Sequence, residues 1–368
     1  MGEPDVTTKW VEPRRAATRR LYVDGIGELA LSLDRAQGEL KLAVEGAPFA
    51  LLLERDEKKG IHVELAFPVS ADATASGFEV KEIAGDHVLS TVHTGPYRGG
   101  DEGENLIDTV RGLWGFISER RLLAGDNPSR YIFLEGEATH GDDSARYRTE
   151  VQISYHTPVW FDALDRGLRR HAGTKHAQAI MKDAALLLGS FDSDAIRRFV
   201  LEAVRRTGDV VSDEGERARI LQDCAHRYPH AQLDRLRAAY DEIGDLRAFI
   251  ARLAEDDALF PAKIWLDEKG QTPLVYIERS VPPWNREAYE ATDDPVEKRY
   301  HACFCVMVRD AIRTGEAVPP EFCDCSAGWY VQMWSAILDR RLRIDVVESV
   351  LRGDDRCLFA VHVPQELL

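Results

Sequence analysis

TTKWVEPRRAATRRLYVDG (7–25) can be laid on GFEVKEIAGDHVLSTVHTG (77–95), and that overlay decides the fold of the first part of the chain. Both stretches read as β-rich openings, and a helix follows each. In the first copy Leu29, Leu33, Ala36 and Leu40 recur at a spacing of three to four, and in the second Leu106, Val110, Leu113 and Ile117 do the same. Each helix therefore offers one apolar stripe. Two strands come next in each copy: APFALLLERD (47–56) with IHVELAFPV (61–69), then RYIFLEG (130–136) with RYRTEVQISY (146–155). Their alternation is that of half-buried antiparallel strands. The unit is β-α-β-β, twice. Glu64 and Glu150 fall at corresponding points of the two final strands, which predicts a pseudo-symmetric pair of sheets closing around a shared cleft.

The pattern changes near residue 158. In SYHTPVWFDALDR (154–166) a strand-like run ends, Pro158 interrupts the ladder and an amphipathic helical stretch begins. Domain limits of 1–157, 158–260 and 261–368 follow, with 158–368 expected to form one domain. Helical stripes run through Ile180, Ala184, Leu187 and Leu188, through Ile196, Phe199, Val200 and Val204, and through Leu233, Leu236 and Tyr240. After Pro261 strand signals return in KIWLDEKG (263–270) and LVYIERSV (274–281). Ser326 is expected to cap a helix carrying Trp329, Met333 and Ile337, and the runs at 341–353 and 356–363 to form a hairpin around Gly353-Asp354-Asp355. The expected class of the whole is α+β.

The 368 residues carry 47 Lys+Arg against 63 Asp+Glu, a net charge of −16 that repels phosphate backbones and argues against nucleic acid as a partner. No apolar window approaches the roughly 18 residues of a membrane span, and MGEPDVTTKW lacks a signal-peptide layout, so a cytoplasmic protein is expected. Six cysteines are too sparse for a secreted disulfide scaffold. Five of them, Cys303, Cys305, Cys323, Cys325 and Cys357, crowd the last quarter, which asks for a chemical reason.

HTGPYRGG (93–100), the helix containing Trp114, PSRYIF (128–133) and RTEVQISY (148–155) occur in an order that resembles the GyrI-like effector-binding domains of drug-responsive transcription factors. The similarity spans roughly the first 155 residues. It implies a cleft between two β-α-β-β halves that takes up lipophilic, often cationic and aromatic, compounds. It also implies a ligand-facing acid on the last strand, matched here by Glu150, and aromatic walls matched by Tyr97, Trp114 and Tyr131. A carboxylate in an apolar cleft is costly to leave unpaired, and a cationic aromatic guest would offset that cost. The alternative is that Glu150 pairs with Arg146 or Arg148 and that Trp114 is core. The regulators carry a DNA reader ahead of this domain, and none is read here, so storage, transport, sensing or catalysis is expected instead. Stand-alone relatives include hydrolases, which keeps a Glu150-activated water open as a reading.

RYHACFCVMVRD (299–310), FCDCSAGWYVQMW (322–334) and the chain end resemble a bacterial family allied to L-2-amino-thiazoline-4-carboxylate hydrolase. Gly353, Asp354, Cys357 and Phe359 are similar to the ending of 4-vinyl reductase domains. In metal-binding relatives a further cysteine stands where this chain has Ser349, so their zinc site does not carry over intact. On an extended strand Cys303 with Cys305, and Cys323 with Cys325, would each present two sulfurs to one point, which suits zinc or an iron–sulfur cluster. His301, Cys357 and a buried Glu348 are further candidates. The competing readings are small buried hydrophobes, or a nucleophilic Cys323 or Cys325 with His301 as base acting on a thiazoline-like or amide substrate and Arg309 clamping its carboxylate. His226 and His230 stand four apart, but Pro229 breaks their helix.

Overall fold

In GIHVELAFP, strand β4 (Gly60–Pro68), Val63, Leu65 and Phe67 point to one side and Glu64 and Ala66 to the other, yet all five are buried. A strand buried on both faces belongs in the middle of a sheet. The computed structural model describes residues 4–56, 58–97, 105–125, 127–135 and 144–368; Arg98, Gly99 and Gly100 of the GPY run and Gly136 lie outside them. The chain divides into two compact units after His156.

The first unit holds β1 (Thr7–Val11), β2 (Arg14–Val23), α1 (Leu29–Glu39), β3 (Phe49–Asp56), β4, β5 (Glu79–Ile83), β6 (Asp86–Thr94), α2 (Leu106–Glu119), β7 (Ser129–Glu135) and β8 (Arg148–Ser154). The strands lie in the order β1-β6-β8-β7-β3-β4-β2-β5. That order reads the same from either end once each strand is exchanged for its mate in the other copy. The two expected halves are joined into one antiparallel sheet by the pairing of β3 with β7, from Phe49 opposite Ile132 to Leu52 opposite Ser129.

The short first strand of each copy is exchanged. β1 pairs with β6 of the second copy, and β5 pairs with β2 of the first. Lys9 stands opposite Val88 as Lys81 stands opposite Ala16, so Lys9 answers to Lys81 and not, as the overlay of 7–25 on 77–95 has it, to Glu79.

Both helices lie against one face. Arg19 of β2 bonds Glu39 of α1 at 2.6 Å, and Nδ1 of His93 on β6 lies 2.8 Å from Oγ1 of Thr109 on α2. Leu29 and Leu33 of α1 and Leu106 and Leu113 of α2 are buried, as are Leu65, Leu89, Val151 and Ile153 on the sheet side. Each such side chain contributes about 1.5–3 kcal/mol by leaving water. Asn105 starts α2 with a reciprocal capping box to Asp108, at 3.1 and 3.3 Å. Glu64 and Glu150 project from the opposite face of the sheet.

In the second unit, helices from α3 (His156–His171) to α7 (Leu246–Glu255), with α4 (Ser193–Val210), α5 (Glu214–Gln222) and α6 (His230–Ile243) between, precede strands β9 (Ala262–Asp267) and β10 (Leu274–Arg279). Pro158 falls in the first turn of α3, where its missing N–H costs nothing, so it does not separate strand from helix. After α8 (Pro295–Ala302) comes α9 (Asp324–Leu338), then β11 (Ile344–Glu348) and β12 (Leu358–His362), completing a sheet of order β11-β12-β10-β9. Phe249 and Trp334 meet edge to face at 6.4 Å over Val275, Ile277 and Val361 of that sheet. The expected hairpin forms, but its first strand ends at Glu348 and a 3-10 turn over Val350–Arg352 precedes Gly353, with Ser349 N–H donating to Asp354 at 2.7 Å. α9 begins earlier than expected: Ser326 lies inside it, and its first residue is Asp324. Gly328 is required where α9 crosses the end of α5, because a Cβ there would lie 2.0 Å from the Gln222 carbonyl oxygen. Among the described residues no helix is long and apolar enough to cross a membrane.

Candidate functional site

Glu150 on β8 is 8% exposed and is not unpaired. Lys9 of the exchanged strand β1 forms an ion pair with its Oε1, the Ser90 hydroxyl donates to the same oxygen, and Gln152 Nε2 donates to it at 3.0 Å. Burial pushes the Glu150 pKa up, but the hydrogen bonds from Lys9, Ser90 and Gln152 outweigh it and hold the carboxyl below its ordinary value. It is therefore an ionised carboxylate and a weak base, which disfavours water activation. Neither arginine of the alternative reading touches it; Arg148 bonds Glu135 at 3.2 Å, and Arg146 is exposed.

The rest of this face is asymmetric. Around Glu150 it is polar: Ser154 donates to Asp86 at 3.3 Å, and Arg130 donates to the Ala84 carbonyl at 2.7 Å, both within the buried layer. Gln152 is 1% exposed, and its Oε1 has no hydrogen-bond partner. The other half carries an apolar cluster of Ala16, Phe49, Leu51, Ala66 and Ile83, with Ile132 packed against it. Ile132 stands directly across from Glu150 on one side, and on the other stands Val92, 45% exposed. Glu64, the symmetry mate, carries two cations, Lys81 at 2.5 Å and Arg20 at 3.5 Å.

The sheet separates Glu150 from the three expected aromatic walls. Tyr131 stands opposite Val151 and Ala50, so the two-residue pleat turns it to the helix face, where burial raises its pKa to about 12. Tyr97 packs on Tyr147 at 5.0 Å and on Phe133 at 5.5 Å; Phe133 is paired with Thr149 and shares that same face. Trp114 lies on α2 and is 44% exposed. Phe49, Leu51 and Ile132 are what the fold sets on the Glu150 face. Sequence reading missed Lys9, Ser90 and Gln152, although a lysine recurs in both exchanged strands and was a usable signal.

In the second unit Cys303, Cys305, Cys323 and Cys357 line one small cavity with Arg279 and Ser349. Its volume of about 20 Å³ has room for about one water molecule. Cys325 is not among its lining residues. The expected strand geometry is absent: Cys303 follows α8, Cys305 stands just before a turn over 306–309, Cys323 closes a 3-10 turn and Cys325 is the second residue of α9. No three His, Cys, Asp or Glu side chains among the described residues are gathered to hold a metal ion. Burial drives the Cys303 thiol well above its usual range and the Cys323 thiol to about 12, the latter despite Ser349 Oγ at 2.9 Å. The geometry expected of a four-thiolate site is therefore not seen among the described residues, and burial, the largest cause of each shift, favours the protonated thiol at Cys303 and Cys323.

His301 lies 3.6 Å from Glu297 and bonds no cysteine. Arg309 packs on the Tyr300 ring at 4.9 Å, and Arg279, not Arg309, reaches the cavity. Glu348 is not a buried acid; it forms a two-pronged pair with Arg356 at 2.9 and 3.0 Å.

No protein-family model and no curated protein matches this chain. Solved structures do. The chain is similar to the C-terminal domain of EcmrR at 19% identity, over 41% of this chain and 96% of that one, with a TM-score of 0.35. It is similar to SAV2435, a structure bound to tetraphenylphosphonium, at 11% identity over 41% and 93%, with a TM-score of 0.29. A hydrolase from Listeria innocua is similar at 10% identity over 42% and 93%, with a TM-score of 0.28.

Proposed function

We propose that the first unit binds small molecules that join an apolar body to a positive charge, with Glu150 as the anchor. The observation that carries this reading is an ionised, nearly buried carboxylate set beside the apolar patch of Ile132, Phe49 and Leu51. Its present counter-ion is a lysine whose side chain is 44% exposed and which solvent can receive. Glu64, held by two cations at once, is a structural ion pair by comparison. A buried carboxylate needs a cation, and an apolar surface beside it favours a cation that carries hydrocarbon.

The test is a binding titration of lipophilic cations against the full chain and its Glu150→Gln variant. Micromolar binding that weakens at least tenfold in the variant is expected. Equal affinity across several cations would refute Glu150 as the anchor.

A further inference from the structure

We infer that the Glu150 site selects protonated amines over quaternary cations, and that Lys9 is the chain's own occupant of the ammonium position. The inference rests on the small-molecule reading above and names the ligand class. Three observations carry it.

First, the group in contact with Glu150 Oε1 is an ammonium, so that oxygen already accepts the kind of N–H that a protonated primary amine would donate. Second, Gln152 donates its Nε2 to Glu150 and leaves Oε1 buried without a partner. That amide cannot turn round, because its oxygen would then face the carboxylate. A buried acceptor left in this way is expensive, Lys9 in its present place does not satisfy it, and a ligand N–H set closer to it than the Lys9 ammonium would. An alkylammonium has such donors to spare, and a tetraalkylammonium or phosphonium has none. Third, the symmetry-related half lacks the arrangement. Register places Ala66 at the position of Gln152, Thr18 at that of Ser90, and Arg20 at that of Val92. The half-exposed Val92 leaves room at Glu150 that Arg20 fills at Glu64.

β1 is a five-residue strand at the sheet edge with β6 as its one neighbour in the sheet, so Lys9 can leave while the strand stays paired. The ligand is therefore an amine on a compact apolar body, the body lying toward Ile132, and it competes with Lys9 for one oxygen.

The probes are 1-naphthylmethylammonium and its N-trimethylated analogue, which share one apolar body, titrated calorimetrically into the full chain. In the wild-type protein the primary amine is expected to bind at least tenfold tighter than the trimethyl form. Lys9→Met, which keeps the stem and removes the competitor, should tighten the primary amine at least tenfold, whereas Lys9→Arg should not. Gln152→Met should narrow the gap between the two probes. Equal or tighter binding of the trimethyl form to the wild-type chain overturns the amine preference while leaving the lipophilic-cation reading standing. An unchanged amine affinity in folded Lys9→Met overturns the role of Lys9. If neither probe nor any other lipophilic cation binds any form, this inference falls together with the function beneath it.

Discussion

Asp324 opens α9 between the buried Cys323 and the half-buried Cys325, and burial raises its pKa to about 7, with Glu321, Asp345 and Glu214 adding to the rise and Arg352 opposing it. Its folded value lies above the unfolded 3.8, so the native state holds this proton more tightly than the unfolded chain does. The carboxyl is harmless below about pH 4. From there to about pH 7 each pH unit removes roughly 1.4 kcal/mol of stability, and above that the loss levels off at on the order of 4 kcal/mol. Asparagine resembles the protonated acid in shape and gives up only the favourable position of a negative charge at a helix start, worth about 0.5 kcal/mol. Asp324→Asn should therefore leave Tm almost unchanged at pH 4.5 and raise that of the second unit by about 10 °C at pH 8, at roughly 2–4 °C per kcal/mol for a unit of this size. Thermal unfolding followed by circular dichroism across that range is the assay. An equal shift at both pH values, or a lower Tm at pH 8, would refute the reasoning.

Gly328→Ala should destabilise the second unit by at least about 1–3 kcal/mol, read as a lower urea midpoint, because the new methyl meets the backbone oxygen of Gln222 at 2.0 Å, which has no flexible side chain to move. All six cysteines are free, and burial raises their thiols, so native protein at pH 8 should react with a thiol reagent much more slowly than protein in guanidinium, where six groups are expected. Rapid labelling of the native cavity cysteines would contradict their protonated state. The depressed pKa of Glu150 contributes stability above its unfolded 4.5 that is lost as pH falls through the folded value. Glu150→Gln should accordingly be less stable than wild type at pH 7, by about 1–3 kcal/mol, and the gap should close once the pH falls below the folded value of Glu150; a gap that persists in strong acid would show that the carboxylate charge is not the cause.

The doubled β-α-β-β unit was legible because helices and strands have different periods, and Leu29–Leu40 and Leu106–Ile117 obey one while IHVELAFPV obeys the other. Sequence placed Glu64 and Glu150 as equivalents, and the register agrees. It did not reveal that β1 and β5 change partners, since exchange alters only which backbone receives a strand and leaves local pattern untouched. The same blindness hid Lys9 from Glu150, which lies far along the chain. Tyr131 was assigned to the wrong face because a motif match fixes a position in sequence, whereas one step along a strand reverses the side chain. The strand geometry expected of the C-x-C pairs is absent for a related reason. Their geometry presumed extended chain, and Pro295, Pro319 and Pro320 open helical turns nearby.

The exchange of edge strands also bears on how such a site can change over generations. The anchor Glu150 belongs to the second repeat and its lysine to the first, while Glu64 of the first repeat is served by Lys81 of the second. Each glutamate thus draws its lysine from the other repeat, and Glu64 adds Arg20 of its own. A substitution at Lys9 or Lys81 is thus read out at the glutamate of the other repeat, so the two halves are coupled through their edge strands.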